Sequence, residues 1–555
     1  MRSTALRLVV LVGAATPALP QTEILIAQGD VLPGVGTVAD VAELALDGNG
    51  HWAATVHLAT PGFPQALVVD GAVLIAWPTP LPGVAGNVPF VTATSLAFDA
   101  GGELVWIANG LPVIGQDGVA LYRGLTPLLR RDDLVVAPGV TPGTQYDWFV
   151  DARPGGPGEV VAHVIADDAA IQGITDNMLL RVVDQPGGGV VVTDLVKRGD
   201  VLPGQTTPVQ EFTEYGYGLA ANASGAYLHV PRMSGGPEAV YLELDPLAIS
   251  GTQSPYFGEP WGAFNRVPVA LNDAGDYAFG ARVGGGSATL RFLVWNGIVV
   301  VEEGEPLAAV APFAIDRLYL DSVPYASPLH LTDDGRIAWF GGWNDPDPTS
   351  DQGLFLDHEL VLDEGVPYVD GLRVTDFFPT GPGAAAPHFD VTPAGDQFAL
   401  RAGLEDGRIA AVRIRPGGSV TEIASCTPNA GTLTSAPQSP GSFLFFNAGN
   451  AQAVGALALV GVSAAQVTGT PPCGIVLPGL GEQHIALDPA NLLALKPGLF
   501  PATAGLSTVV FFSTLPTNPT LAGVHLYAQG LWIDPSPTAP EPLRATNALD
   551  FELGQ

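Results

Sequence analysis

A chain of 555 residues is too long to fold around one hydrophobic core, so its length predicts two or more domains or an array of repeats. Only 14% of the residues are charged, while 69 glycines and 51 prolines indicate many turns, a composition that favours short strands over helices. The 55 acidic residues against 22 basic ones give a net charge of −33, which repels phosphate backbones and anionic lipids and makes nucleic acids and membrane surfaces poor partners.

The first 21 residues, MRSTALRLVVLVGAATPALPQ, have the pattern of a secretory signal peptide. Arg2 and Arg7 precede an apolar run over residues 8–15, and small residues and prolines follow it. An N-terminal anchor helix is the alternative, but the run is about half the roughly 20 residues that a membrane span needs. We therefore expect export with cleavage within residues 18–21, a secreted and extracellular protein, and no membrane insertion of the mature chain.

A short motif around a glycine recurs along residues 22–425. The clear copies are LDGNGHWAA from Leu46, FDAGGELVW from Phe98, ANASGAYLH from Ala221, LNDAGDYAF from Leu271, LTDDGRIAW from Leu331 and VTPAGDQFA from Val391, and a weaker copy, PGEVVA, surrounds Gly158. The anchor glycines are Gly50, Gly102, Gly158, Gly225, Gly275, Gly335 and Gly395. Their spacing of about 57 residues indicates an array of supersecondary units.

The residue types in the motif have a physical explanation. The position three residues before the anchor can accept a hydrogen bond from a turn amide, and the glycine can take the positive φ that such a turn requires; the residues at that position are Asp47, Asp99, Asn222, Asn272, Thr332 and Thr392. Apolar residues then follow without alternation, as in Tyr277-Ala278-Phe279. We interpret the stretch as a turn leading into a strand that is covered on both faces.

A second recurring element follows these strands. Two short apolar runs flank a two-residue tip such as Asn296-Gly297 or Asp70-Gly71, which predicts a hairpin, and a GDVLPG-type turn begins at Gly29 and Gly199. Seven units of about four strands each predict a seven-bladed β-propeller, which the strand in TEILIAQGDVLPG, residues 22–34, closes by completing the last blade. An open array of β-units and two separate β-domains are the alternatives.

The pattern of residues along the chain changes at Cys426. Residues 426–555 contain apolar runs such as SFLFFN and STVVFFS between proline-rich turns, which predicts a separate antiparallel β-sandwich. Cys426 and Cys473 are the two cysteines of the chain, and export favours a disulfide between them, with two free buried thiols as the alternative. A closed loop of this length would stabilise the fold by roughly 4 kcal/mol.

Both the repeat units and the C-terminal stretch resemble known groups of proteins. The GDxLPG and LNDxGxxAF units are similar to propeller-type repeats of secreted bacterial proteins of unknown function. The ending LAGVHLYAQGLWIDPSP…ATNALDFELG, residues 521–554, resembles a C-terminal β-sandwich module that is common on large exported bacterial proteins. The resemblance implies architecture and export, and it carries no activity.

The sequence contains no nucleophile elbow, HExxH, P-loop, Rossmann glycine or CxxC motif, so it assigns no catalytic, cofactor-binding or metal-binding residue. The turn acids Asp47, Asp99, Asp273 and Asp333 each lie in their own repeat, with too few oxygens for calcium, and we expect them to form turns. In the loop WNDPDPTSDQG, the acids Asp345, Asp347 and Asp351 are a candidate calcium site. Prolines interrupt that loop and no bidentate Glu follows, which favours an exposed acidic turn.

Histidines and acid pairs are the remaining candidates. Five histidines fall near the repeated strand: His51, His57, His163, His229 and His388. His163 and His229 lie five and four residues after their anchors, so they should point to opposite faces, which argues against a cluster. Two acid pairs, Glu302-Glu303 and Asp363-Glu364, occupy equivalent places in adjacent repeats. Paired carboxylates can cleave glycosidic bonds, but we expect solvated charges at sheet edges.

Two classes of function remain. A secreted non-enzymatic binding or scaffold protein fits the absence of a catalytic motif, and its partner would be an extracellular protein or polysaccharide. An extracellular polysaccharide hydrolase or lyase, which uses carboxylates at the propeller channel, is the alternative. The alternative requires acids and histidines to converge in one pocket with shifted pKa values.

Overall fold

The computed structural model describes residues 23–60, 64–110, 119–167, 175–185, 188–212, 218–264, 267–284, 289–320, 327–347, 351–364, 368–369, 372–379, 388–414, 419–423, 432–434, 443–449, 457–467, 475–477, 481–487, 492–497, 506–514, 524–533 and 543–552. The chain divides into two compact units. The larger unit comprises residues 24–367 and 372–413, and the smaller unit is formed mainly by residues 414–555. Both consist of small antiparallel sheets, so the predicted all-β class is confirmed.

The larger unit begins with strand β1 (Glu23–Ala27), which is hydrogen bonded into the last sheet of the unit. Sheet 1 contains β2 (Val31–Leu32), β3 (Gly36–Leu46), β4 (Trp52–Leu58), β5 (Gln65–Val69) and β6 (Ala72–Ala76). Sheet 2 contains β7 (Phe90–Phe98), β8 (Leu104–Gly110), β9 (Ala120–Arg123) and β10 (Thr126–Arg130). Sheet 3 contains β11 (Gln145–Pro154), β12 (Glu159–Asp167), β13 (Thr175–Asp184) and β14 (Val190–Lys197).

The next sheets follow the same meander. A two-stranded ladder of β15 (Val209–Phe212) and β18 (Pro231–Met233) accompanies sheet 4, which contains β16 (Leu219–Ala221), β17 (Tyr227–His229), β19 (Ala239–Leu242) and β20 (Asp245–Ile249). Sheet 5 contains β21 (Val269–Leu271), β22 (Tyr277–Val283), β23 (Leu290–Trp295) and β24 (Ile298–Glu302), and a 3-10 helix, Ala308–Val310, follows it.

Two sheets complete the larger unit. Sheet 6 contains β25 (Ile315–Arg317), β26 (His330–Leu331), β27 (Ile337–Trp343), β28 (Gln352–Leu356) and β29 (Glu359–Asp363). After β30 (Tyr368–Val369), sheet 7 contains β31 (Leu372–Phe377), β32 (Phe389–Val391), β33 (Phe398–Leu404) and β34 (Ile409–Ile414), with β1 hydrogen bonded to β34. The first and last strands of the larger unit are therefore neighbours.

Apolar side chains fill the space between neighbouring sheets. The core between sheets 1 and 2 includes Phe90, Trp106 and Tyr122, and the rings of Trp106 and Tyr122 are stacked with centroids 4.5 Å apart. Equivalent clusters lie between sheets 2 and 3, 3 and 4, 4 and 5, 5 and 6, and 7 and 1. Because each middle strand packs against a sheet on either side, its residues are apolar on both faces.

The recurring glycine motif forms a turn with a hydrogen-bonded polar side chain. In sheet 5, Asn272 Oδ1 accepts a hydrogen bond from the backbone N–H of Asp276 at 2.8 Å, and Gly275 has a φ of +88°. In sheet 1, Asp47 Oδ1 accepts from the N–H groups of Asn49 and His51. The stretch LNDAGDYAF is thus a turn between β21 and β22, built from the residue types that favour it.

The same turns connect neighbouring sheets. Asn272 Nδ2 donates to the carbonyl of Thr332 in sheet 6 at 2.8 Å, and Asn222 Nδ2 donates to the carbonyl of Asn272 at 2.9 Å. Asp273 Oδ1 accepts from the N–H of Ala223 in sheet 4 at 2.7 Å. Each of these turns therefore holds its own hairpin and also binds the next sheet.

The GDVLPG motif makes a second connection between neighbouring sheets. Gly29, with a φ of +95°, donates its N–H to the carbonyl of Val38, and Val38 donates in return to the carbonyl of Asp30. The Asp30 carboxylate accepts from the N–H of Ala27 at 2.8 Å. The same arrangement recurs at Gly199 and Gly304. The motif joins the outer strand of one sheet to the first strand of the next.

The smaller unit has three sheets in the part of the chain that the structure describes. Its strands are β35 (Ser419–Ile423), β36 (Thr432–Thr434), β37 (Phe443–Gly449), β38 (Leu457–Ser463), β39 (Ile475–Leu477), β40 (Gly481–Gln483), β41 (Leu492–Pro497), β42 (Leu506–Thr514), β43 (His525–Ile533) and β44 (Leu543–Glu552). They pair in the orders β35-β44-β43-β38-β41, β36-β37-β42 and β39-β40.

Candidate functional site

One strand from each of the seven sheets contributes to the wall of one cavity in the larger unit; these strands are β3, β7, β11, β16, β21, β26 and β32. The cavity has a volume of about 970 Å³. The lining spans Glu43–Leu46 in β3 and Thr94–Phe98 in β7, and four to five residues at roughly 3.3 Å each give a length of about 15 Å and a mean cross-section of about 65 Å². The main lining segments lie within residues 43–49, 94–100, 148–155, 219–223, 269–273, 328–331 and 388–393. The cavity is therefore a narrow channel along the innermost strands.

Bulges in three of these strands place polar side chains in the channel wall. The strand register shifts between Val41 and Leu44 in β3, between Thr94 and Ala97 in β7, and between Phe149 and Asp151 in β11. A bulge re-aims the side chains beside it and often lies next to a binding site. Glu43 and Ser95 occupy the first two bulges, and both line the cavity.

Asp151 is held at the channel wall by a set of donors. The carboxylate is 2% exposed, and its Oδ1 accepts from Ser95 Oγ at 2.9 Å and from the N–H of Ala152 at 2.8 Å. Arg153 Nη2 lies 3.3 Å from the same oxygen, while Arg153 Nε donates to the carbonyl of Leu219 at 3.2 Å. Burial raises the pKa of Asp151, and Arg153 opposes that rise. The group connects sheets 2, 3 and 4.

Glu43 is another carboxyl group of the channel whose pKa is raised. Burial raises its pKa from 4.5 to about 7, the positive charge of Arg153 opposes the rise, and the negative charge of Asp151 adds to it. Hydrogen bonds from the backbone of Ser95 and Leu96 also lower the pKa. Glu43 therefore exchanges a proton near neutral pH, at a position that faces the cavity.

Two histidines and an aspartate from sheets 6 and 7 complete the cluster. Asp390 Oδ2 accepts from the N–H of Leu46 in sheet 1 at 2.8 Å, and its Oδ1 lies 3.3 Å from His330 Nδ1. His330 Nε2 bonds the carbonyl of Phe389 at 2.9 Å. Burial lowers the pKa of His330, and it lowers that of His388 to about 4. Both imidazoles are therefore neutral at pH 7.

The sequence-predicted turn acids lie at one end of the channel. Asp47, Asp99 and Asp273 line the cavity, and Asp333 lies outside its lining. Asp99 accepts from the N–H groups of Gly101 and Glu103 and also lies 3.1 Å from Arg123 Nε. The backbone amides described above hold Asp47 and Asp273.

The other predicted acids do not converge on the channel. Asp351 forms an ion pair with Arg317 at 2.6 Å, so it does not join Asp345 and Asp347 in a ligand set. No group of three or more histidine, cysteine or acidic residues suited to a metal occurs among the described residues. Glu303 pairs with Arg291, and Glu364 accepts from the N–H of Phe377. The pairs Glu302-Glu303 and Asp363-Glu364 are not part of the cavity lining.

Four of the five predicted histidines lie outside the channel lining. His51 bonds Asp70, His57 lies beside Gln65, His163 bonds Asn177, and His229 bonds the carbonyl of Glu243. The rings of His163 and His229 both pack against Phe212. His163 lies in sheet 3 and His229 in sheet 4. Side chains on the facing sides of two neighbouring sheets can share one contact, although they lie on opposite faces of their own sheets.

The sequence analysis did not identify Glu43, Asp151, Arg153, His330 or Asp390. Comparison of equivalent positions in the repeat would have indicated these residues. Seven residues before the anchor glycines stand Glu43, Ser95, Asp151, Gly218, Pro268, Pro328 and His388, and five residues before them stand Ala45, Ala97, Arg153, Ala220, Ala270, His330 and Asp390. The cluster thus comes from two alternating positions of the repeat, whereas sheets 4 and 5 carry only small or apolar residues there.

Several sequence predictions fall on residues that the structure does not describe. Residues 1–21, with the predicted signal peptide, and both cysteines of the predicted disulfide, Cys426 and Cys473, lie outside the described ranges. Among the described residues, no helix has the length and apolarity of a membrane span.

Comparisons with known proteins do not assign a family. No family profile and no curated protein matches the chain. The chain is similar to the structure of BBS1N in complex with ARL6DN at 11% identity and a TM-score of 0.29, over 72% of this chain and 97% of that chain. It is similar to an alpha-L-arabinanase from Penicillium chrysogenum at 12% identity and a TM-score of 0.24, over 71% and 97%. A glycosyl hydrolase from Bacteroides ovatus is similar at 13% identity and a TM-score of 0.20, over 48% and 83%.

Proposed function

We propose that this protein is a secreted, non-enzymatic binding protein that holds its ligand in the channel of a seven-bladed β-propeller. The observation that carries the proposal is the cavity of about 970 Å³, whose wall takes one strand from each of sheets 1 to 7 and contains a buried cluster of charged and imidazole groups. A concave site with a few positioned polar groups is the usual form of a ligand site.

The propeller is supported by the connections between the sheets. Apolar cores lie between sheet pairs around the unit, and β1 pairs with β34 in sheet 7. In this interpretation each sheet is a blade, and β1 closes the ring. We further propose that the sheets β35-β44-β43-β38-β41 and β36-β37-β42 of the smaller unit form an antiparallel β-sandwich.

The bonding of the acids favours binding over catalysis. Asp151 and Asp390 already accept hydrogen bonds from backbone amides and lie beside Arg153 and His330. Carboxylates held in this way orient the wall of a site and have little capacity to attack a substrate. The pKa of Glu43, at about 7, lies near neutral.

A polysaccharide hydrolase or lyase is the second candidate, and Glu43 is the observation that favours it. A carboxyl with a pKa of about 7 beside the negatively charged Asp151 resembles the general acid of such enzymes in its electrostatics. In that case Glu43 donates the proton to the leaving group.

Location and partners follow from the sequence. We propose that residues 1–21 direct export, that the mature chain is not inserted in a membrane, and that its partner is an extracellular protein or polysaccharide. With a net charge of −33, the chain repels nucleic acids.

The test measures binding and chain cleavage together. Purified full-length protein is mixed with neutral and acidic polysaccharides, and both depletion of the protein onto the polymer and new chain ends are measured. The variant Ala97→Trp fills the channel, whereas Ala72→Trp places the same side chain on an exposed position of β6. We expect depletion that Ala97→Trp abolishes and Ala72→Trp retains, with no new chain ends.

Other results would change the conclusion. New chain ends that disappear in Glu43→Gln would establish the second candidate. Depletion that Ala97→Trp leaves intact would place the ligand outside the channel and refute the proposed site.

A further inference from the structure

Resting on the proposed function, we infer that the channel takes a slender ligand whose chain carries protonated amines. The dimensions limit the ligand first. With a length of about 15 Å and a mean cross-section of about 65 Å², the cavity has room for one extended chain. A compact ligand of the same volume does not fit a channel of these dimensions.

The wall of the channel has a polar side and a small-residue side. Charged groups and imidazoles come from sheets 1, 3, 6 and 7, at Glu43, Arg153, His330 and Asp390 among others. Sheets 4 and 5 contribute Ala220 and Ala270 at the equivalent repeat position. A chain that lies against these alanines therefore faces the charged groups across the channel.

The charges that remain after pairing are negative. Arg153 is engaged by Asp151, and Arg123 lies against Asp99. The lining carboxylates Asp47 and Asp273 are bound by backbone amides, which leaves their negative charge uncompensated. Glu43 adds to it in its ionised form. An anionic ligand is repelled by this wall, whereas an ammonium group is attracted.

Aromatic surface in the lining suits the same chemistry. Trp148 and Phe98 both line the cavity and are half-buried, so part of each ring faces the channel. An ammonium group binds favourably over the face of an aromatic ring, and Trp is the strongest partner of this kind. A free linear polyamine and an oligomer of an amino sugar share the required chemistry.

The experiment is a calorimetric titration of the full-length protein with four probes. Spermidine tests the free polyamine, and a glucosamine tetramer tests the amino sugar. The N-acetylglucosamine tetramer has the same chain without the positive charges, and a galacturonate tetramer has the opposite charge. We expect one site per chain for at least one amine probe, with affinity at least about tenfold higher than for the neutral tetramer, and no binding of galacturonate.

The acids of the channel are tested by the double variant Asp47→Asn/Asp273→Asn. Asparagine keeps the oxygen that accepts the turn amides, and Asn222 and Asn272 occupy the position equivalent to Asp47 in other repeats, so the fold is retained. We expect the double variant to weaken amine binding about tenfold. The control Glu359→Gln removes one charge from an exposed hairpin, where Glu359 pairs with Arg336, and should leave the affinity unchanged.

Three results would overturn the inference. Tighter binding of the neutral or the anionic tetramer would refute the amine specificity and would leave the proposed function standing. Equal effects of the double variant and the control would place amine binding on the general acidic surface. Absence of binding by both amine probes would also refute it, and the polysaccharide depletion test then decides separately whether the channel binds a ligand at all.

Discussion

The substitution Asn272→Asp separates the two roles of the recurring turn. Aspartate keeps the oxygen that accepts from the N–H of Asp276, as native Asp47 does for His51, and within the turn it loses the hydrogen bond from Asn272 Nδ2 to the Asp276 carboxylate, which is long at 3.2 Å. It removes the amide donor to the carbonyl of Thr332, 2.8 Å away. Both residues are buried, at 4% and 0% exposure.

An unpaired buried carbonyl costs about 1–3 kcal/mol, and a carboxylate opposite that carbonyl adds repulsion. We therefore expect Asn272→Asp to lower the free energy of unfolding by about 2–3 kcal/mol. The neighbouring variant Asp273→Ala loses one exposed hydrogen bond, which the Asp273 carboxylate accepts from the N–H of Ala223, and should cost about 1 kcal/mol.

The assay is calorimetric unfolding of the full-length protein, with hydrogen exchange as a local measure. For a unit of this size the unfolding entropy is about 0.8 kcal/mol per degree, so 2–3 kcal/mol lowers the Tm by about 3 °C. Amides of the turns around Asn272 and Thr332 should exchange faster. An unchanged Tm and unchanged exchange in Asn272→Asp would refute the conclusion that the turn binds the next sheet.

Three further predictions concern stability. Asp40 is fully buried and accepts three hydrogen bonds from Arg401. Because Arg401→Met removes this cation, it should lower the free energy of unfolding in urea by about 3–5 kcal/mol, and Arg401→Met/Asp40→Leu should recover most of the loss. Burial, and secondarily the charge of Asp376, raises the pKa of Glu364 to about 8, so the stability it contributes is fully present below pH 4.5 and is lost as the pH rises to 8. Glu364→Gln should flatten the unfolding free energy across that pH range, and an unchanged slope would contradict the assignment. Gly275→Ala forces alanine to a φ of +88° and should cost about 1–2 kcal/mol, as judged by the Tm.

The local parts of the structure could be predicted because their causes are local. An Asn, Asp or Thr three residues before a glycine forms a turn through contacts within five residues, and Asn272 and Gly275 do so. A strand that is apolar on both faces, such as Tyr277-Ala278-Phe279, indicates that another sheet packs against each face. The described core clusters do lie between sheets.

The candidate site could not be predicted in the same way. Glu43 and Asp151 are more than 100 residues apart, and a bulge in each strand breaks the alternation from which the direction of a side chain is predicted. The pairing of Asp390 with the N–H of Leu46 joins the two ends of the larger unit. Only comparison of equivalent positions across the repeats, which isolates Arg153, His330 and Asp390, could have indicated that these residues converge.

The pairing of β1 with β34 sets an order for folding. Sheets 1 to 6 are assembled from strands close together in the chain, so each can form from local segments. Sheet 7 is completed only when the first strand meets the last, and closing a loop of several hundred residues costs entropy that grows slowly with its length. Until then the free edge of β34 presents unpaired backbone groups to any other strand. The segment at residues 23–27 therefore ends the assembly of the larger unit and covers the edge of β34.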